Sequence, residues 1–266
     1  THLIHAMTRG EQLLRSLNDK DLKDLAGRRE ILRIYDPNAE GHGEIAYGTL
    51  EATIAPRNAI ETHSRQATAV ETPEGLLVTT HLRFVDDAEA GRYTDRLQQC
   101  WVSFDLLEEA WVDRSTVREG DLRHVSTEIG LREPPSTSLP KGQILVVRQE
   151  GASGIRDTNT LIPENSWLPR ALRWLIWDVA EAASSDIAWQ TWDDSTVIPR
   201  TTIRFDAWQN PRRCWSWSGL AGLPTALSFT PGGMWTRATL PNGTVIECTD
   251  EQTVTARWKA AGLSLR

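Results

Sequence analysis

Few residues in this chain have the type and spacing to do chemistry. Asp193 and Asp194, between Trp192 and Ser195, form the tightest acidic pair beside aromatics, and paired carboxylates can serve acid–base or metal chemistry. Adjacent strand residues point to opposite faces, however, and Asp-Asp-Ser is turn composition, so a turn is expected there. Asp86-Asp87 reads the same way. His2 and His5 have a spacing that could ligate a metal on a helix, against the alternative of a solvated terminal pair. His42 falls in the turn-like Gly41-His42-Gly43-Glu44. Gly151-Ala152-Ser153-Gly154 lacks the closing glycine of a nucleophile elbow. The sequence has no H-E-x-x-H, no paired C-x-x-C and no P-loop. The motifs thus assign no catalytic residue, no metal ligand and no cofactor.

The tryptophans are more distinctive: twelve in 266 residues, ten of them from Trp167 onward. Trp215 and Trp217 alternate on one face of a strand behind Arg212 and Arg213, and Trp189, Trp192, Trp208 and Trp235 come from neighbouring segments. Aromatic faces beside arginines can stack on sugars, hold cations, meet acyl chains or fill a core. The candidate ligand-binding set is Trp192, Arg213, Trp215, Trp217 and Trp235.

The elements that must position these residues are mainly strands. Composition is that of an ordinary globular chain, with 39% hydrophobic and 24% charged residues. A net charge of -7 argues against nucleic acid or an anionic membrane surface as partner. The charge is uneven: residues 1–133 carry 16 basic and 24 acidic side chains, residues 134–266 carry 13 and 12. All six histidines lie in the first part. This contrast predicts two halves, 1–133 and 144–266, joined by a Pro- and Ser-rich linker over 134–143. Cys100, Cys214 and Cys248 show no metal-ligand spacing. They are either three buried thiols or one disulfide, with Cys214–Cys248 the candidate pair.

No signal-peptide pattern opens the sequence at Thr1. Residues 214–236 carry no charge, but six Gly and Pro residues break them into pieces too short to span a membrane as a helix, so buried hairpins are expected.

Helices are predicted over 8–26, with a Thr8/Glu11 capping box and a split at Asn18-Asp19, over about 166–183, where Leu168, Leu172, Leu175, Ile176 and Val179 make one stripe, and after Thr249, which pairs with Gln252 in a second capping box. Strands are predicted at 43–54, 66–72, 76–85, 93–104, 111–117, 144–149, 187–192, 197–205, 213–218, 226–229, 234–240 and 244–248. Pro231-Gly232-Gly233 and Asn242-Gly243 supply reversals, the latter as a type I′ turn. That turn also accounts for the Asn242-Gly243-Thr244 sequon. The fold class is therefore mainly β: two antiparallel meander sheets or half-barrels with a few packed helices.

The second half, over about 144–262, resembles the two-lobed antiparallel β domains that precede the catalytic domain of some bacterial transglutaminase-like proteins. It is also similar to the half-barrels of envelope lipid and lipoprotein carriers. The resemblance rests on Leu161-Ile162-Pro163 before the 167–183 segment, on Arg213-Cys214-Trp215, and on the run from Met234 to Gly243. It implies a non-catalytic, extracytoplasmic (periplasmic) domain and transfers no catalytic residue. The function expected is a binding or assembly protein whose Trp-rich β surface holds a lipid, a polymer or a protein partner. A structural subunit of a larger complex and a polysaccharide-acting enzyme are the alternatives.

Overall fold

The computed structural model describes residues 11–39, 43–60, 73–88, 90–134, 142–162, 167–176, 187–193, 196–209, 212–218, 226–231, 234–240 and 242–263; for 187–189, 191, 193, 196–209 and 212–218 it describes the backbone alone. Expectations for His2, His5, Thr8, His42, the 66–72 strand, Val179 and Asp194 lie outside these residues.

The described residues contain fourteen strands, all in one antiparallel sheet. Eight form a meander in chain order: β1 (Arg29–Tyr35), β2 (Glu44–Pro56), β3 (Glu74–Asp87), β4 (Arg92–Ser103), β5 (Glu109–Glu119), β6 (Leu122–Arg132), β7 (Gln143–Gly151) and β8 (Gly154–Ile162). Six form a second meander: β9 (Ile187–Asp193), β10 (Thr196–Gln209), β11 (Arg212–Ser218), β12 (Ala226–Phe229), β13 (Trp235–Thr239) and β14 (Val245–Thr249). β14 pairs with β1, Ile31 opposite Thr249 and Tyr35 opposite Val245, which joins the two meanders edge to edge. The chain is mainly β, as its alternating patterns predict. The seam between the meanders lies at β1–β14 and the crossover after β8. The expected boundary at 134–143 instead connects β6 and β7, which pair in register from Thr127–Glu150 to Arg132–Leu145.

The sheet is rolled. Trp192 on the edge strand β9 bonds Glu128 on β6 through its indole N–H, at 3.0 Å. Those strands stand eleven places apart in the sheet order. On a flat sheet, at about 4.8 Å per strand, they would be separated by roughly 50 Å. Strand twist accumulated over so many strands curls a sheet in this way.

The enclosed face carries Leu32, Leu50, Ala52, Leu76, Val78, Cys100, Val102, Trp111, Leu145 and Val147, all in the main core cluster. Leu14, Leu17 and Leu22 of the N-terminal helical segments join the same cluster. As predicted, that region is split: residues 11–16 are helical, and Asn18 caps a new helix, α1 (Asp19–Leu25), in a capping box with Asp21. The C-terminal helix α2 (Glu251–Ala260) is capped by Asp250 rather than Thr249. It lies on the opposite face, where the buried Trp258 meets the Tyr47 ring edge-on at 4.4 Å.

The crossover between the meanders threads the rolled sheet. Leu168, Leu172, Leu175 and Ile176 are buried there as the stripe predicts, and Trp167 and Ala171 are buried beside them. The described backbone makes a 3-10 turn at Arg170–Leu172 within the stretch predicted as helix; Ser166 and 177–183 of that prediction lie outside the described residues. Most of this short plug is buried against the sheet, while Arg173 and Trp174 are half-buried. Among the described residues no helix is long and apolar enough to cross a membrane.

Gly243 takes φ +88, but Leu106 is the one non-glycine with positive φ among the described residues, so Asn242 does not complete a type I′ turn. The reversal instead closes through Leu240 N–H to Thr244 and Gly243 N–H to Leu240. Cys248 is a free thiol, as is Cys100. Cys214 and Cys248 sit on β11 and β14, three strand spacings apart, about 14 Å, which rules out the candidate disulfide and leaves the alternative reading of unpaired thiols.

Candidate functional site

Register builds a polar row across the enclosed face. Thr80 on β3 stands opposite Gln98 on β4, Gln98 opposite Asp113 on β5, Asp113 opposite Glu128 on β6, Glu128 opposite Gln149 on β7, and Gln149 opposite Arg156 on β8. Two carboxylates directly opposite on one face repel each other. The fold resolves this with Arg170, whose guanidinium comes down from the plug and forks between them. Its Nη2 donates to Asp113 at 2.6 Å and its Nη1 donates to Glu128. Arg170 is buried and lies over the Trp111 ring, 5.4 Å from its centroid.

Each carboxylate is held by four donors. Asp113 accepts from Arg96 Nε and Nη2 at 3.0 and 2.6 Å, from Gln98 Nε2 at 2.6 Å, and from Arg170. Glu128 accepts from Trp111 Nε1 at 3.1 Å, Trp192 Nε1 at 3.0 Å, Gln149 Nε2 at 3.0 Å, and Arg170. In each, three donors converge on one oxygen, Oδ2 of Asp113 and Oε1 of Glu128, and one donor reaches the other. Burial alone pushes the Asp113 carboxyl up, but the Arg96 bonds and the Arg170 and Arg96 charges outweigh it and hold the group below the ordinary aspartate range. Asp113 is therefore held in its ionised form, with its Oδ2 enclosed by three donors and its Oδ1 bonded to Arg96.

A second buried knot lies one step deeper. Glu109 accepts from Trp167 Nε1 at 2.6 Å and from the Arg170 backbone N–H at 3.0 Å, and lies 3.4 Å from Arg132 Nε. Arg132 in turn donates to Gln143 Oε1 and to the Leu106 carbonyl. These contacts fix the start of the plug, Trp167 to Arg170, to Glu109 on β5. Beside them the Cys100 thiol is pushed up to about 12 by burial, with Asp113 and Glu109 adding to the effect.

Above the Asp113–Arg170–Glu128 bridge the rolled sheet leaves a polar chamber of about 550 Å³. Arg96, Ser115, Ser126, Gln149 and Arg156 line it, and the β7–β8 turn from Gly151 to Gly154 forms its rim. A volume of that order suits a small polar ligand. Among the described residues, no group of three His, Cys, Asp or Glu side chains is placed to hold a metal ion.

The tryptophans read from sequence fall elsewhere. Trp192 is buried against Trp111 and Glu128, and Trp235 is buried in the opposite wall. Trp235 stacks on Trp174 at 6.1 Å, and its N–H reaches the Trp174 carbonyl at 2.8 Å. Neither presents a face to solvent. The backbone of Arg213, Trp215 and Trp217 runs in β11, paired with β10; their side chains lie outside the description. Asp193 ends β9 opposite Thr196, as a hairpin turn requires. Asp86 and Asp87 belong to the β3–β4 reversal, bonding Thr94 Oγ1 and the Ala90 N–H.

Asp113, Glu128 and Arg170 escaped sequence reasoning. Period-2 alternation from His124 to Arg132 was the available signal: polar residues at even positions, Val125, Thr127, Ile129 and Leu131 at odd ones.

No protein-family model matches the sequence, and no curated protein matches it. Among solved structures, the chain is similar to a β-barrel-like protein of a domain of unknown function, DUF1849, from Brucella abortus. That likeness has 14% identity and a TM-score of 0.49, and it covers 85% of this chain and 99% of the other.

Proposed function

We propose that this protein is a non-catalytic binding protein and that its ligand occupies the polar chamber over the Asp113–Arg170–Glu128 bridge. The observation that carries the reading is the four-donor clamp on each carboxylate beneath an open polar cavity of about 550 Å³. Carboxylates pinned by arginine, amide and indole donors suit a rigid floor, and an aspartate held below the ordinary range is a weak proton acceptor. Of the surfaces considered, this chamber supports ligand binding better than the tryptophan set, since Trp192 and Trp235 are interior.

Native mass spectra of the protein purified gently from its source, before and after denaturation, test the proposal. A small mass that leaves on denaturation, and is missing from Ser126→Trp, supports it. Ser126 is an exposed chamber residue, 3.7 Å from where a Cβ on Gly151 would sit, so an indole there obstructs the cavity without entering the core. A bare wild-type protein, or a retained mass indifferent to Ser126→Trp, refutes it.

One observation favours a second reading, a subunit of a larger assembly. On the outer face of the edge hairpin Ile144 stands opposite Leu161, with Val146 beside them, and these side chains are 43%, 63% and 42% exposed. An uncovered edge strand with apolar neighbours is a pairing hazard unless something covers it. A stable monomer by light scattering speaks against this reading; a defined oligomer dispersed by Leu161→Lys speaks for it.

A further inference from the structure

The chamber's charge balance points to a class of ligand, on the reading that the chamber is a binding site. Asp113 and Glu128 are each met by four donors, and Arg170 and Arg96 supply the matching cations, so this set is close to neutral. Two further charges line the cavity, Glu150 and Arg156. Strand alternation separates them. Glu150 shares the outer face of β7 with Arg148, toward whose charge it contributes. Arg156 stands opposite Gln149, on the enclosed face.

Arg156 makes no side-chain hydrogen bond or ion pair among the described residues. Its counterpart on the outer face, Arg148, is held by Asp157 through bonds of 2.8 and 2.9 Å. Of the two lining charges without a side-chain hydrogen bond or ion pair among the described residues, Arg156 stands on the enclosed face of its strand and Glu150 on the outer face. Ser115 and Ser126 stand on neighbouring strands of the same face, directly opposite each other, and Ser153 is on the rim. Their hydroxyls likewise carry no hydrogen bond among the described residues. A guanidinium with hydroxyl donors and acceptors on a neutral polar floor is the complement of an acidic group attached to a hydroxylated body.

We propose that the chamber selects a small hydroxylated ligand bearing one acidic group, a carboxylate or a phosphate, with that group on Arg156. The probes are glucuronate, glucose 6-phosphate and glucose, which share a hydroxyl array and differ in the acidic group. They are titrated calorimetrically into the full chain and into Arg156→Gln.

A charge-assisted contact predicts that at least one acidic probe binds about tenfold or more tightly than glucose. In Arg156→Gln that advantage falls to the level of glucose, with the melting temperature unchanged, because Arg156 is exposed. Preference between the two acidic probes identifies which group is taken. Equal binding of glucose and the acidic probes overturns the proposal. So does an acidic preference that survives Arg156→Gln, or no acidic binding up to about 10 mM, far weaker than a specific site gives. If the naturally retained mass is neutral yet displaced by Ser126→Trp, the chamber reading stands and this inference alone fails.

Discussion

At Arg170 a single guanidinium separates two carboxylates that strand register sets side by side. Removing one partner from a buried charge network strands the others, at a cost of about 3–5 kcal/mol. Arg170→Met is therefore expected to lower unfolding stability in urea by about that amount. Arg170→Lys should rescue little, since an ammonium cannot fork to two acceptors. Asp113 gives the pH dependence. Its folded carboxyl is held below the ordinary range, so its stabilisation is complete above the unfolded value, about 3.9, and is lost as pH falls through the lower folded one. Asp95, lowered on the outer face despite burial by its bonds to Arg83 and the Arg118 charge, acts in the same direction. Stability measured from pH 6 to pH 2 should fall on the acid side, and Asp113→Asn should flatten part of that fall while lowering stability at pH 6. Cys100, buried with its thiol pushed up to about 12, should resist alkylation in the native protein and react on unfolding. Mass mapping after brief iodoacetamide treatment reads this directly.

Among the elements, β6 shows what sequence reasoning missed. Val125, Ile129 and Leu131 alternate there with polar residues, yet the segment is absent from the predicted strands. That omission concealed Glu128 and its opposition to Asp113. Turn chemistry and β-branched runs located most other strands, β12 to the residue, because those signals are local. β1 went unread although Leu32 and Ile34 alternate with Arg33, since what makes it a strand is pairing with β2 and β14 at long range. The Trp192 and Trp235 side chains turned inward for a related reason: the number of tryptophans is visible in sequence, while the curl that encloses them is not. Gly130 makes β6 testable. A Cβ there would fall about 2.0 Å from Trp111 Cζ2, so the indole must shift away from Glu128 and Trp192. Gly130→Ala should cost about 1–3 kcal/mol, the range for overpacking, measured by urea unfolding followed through tryptophan emission.

Over the whole molecule, two meanders joined at β1–β14 roll around the 167–176 plug, and the closure is fastened at Glu128 by Trp192 from the far edge. Weakening that contact should loosen β9 before it loosens β2–β5. Trp192→Phe is expected to raise amide exchange at 190–192 with little change at 76–82, which hydrogen-exchange mass spectrometry resolves. The same closure leaves the chamber open beside the β7–β8 turn, floored by the clamped Asp113 and Glu128 carboxylates and faced by Arg156. The most direct measurement is a crystal structure of the protein isolated from its source without dialysis against denaturant. A ligand seated between Ser126, Gln149 and Arg156, above an intact Asp113–Arg170–Glu128 bridge, is the predicted result. A chamber filled only by water, in crystals of protein whose mass spectrum retains a ligand bound elsewhere, would contradict it.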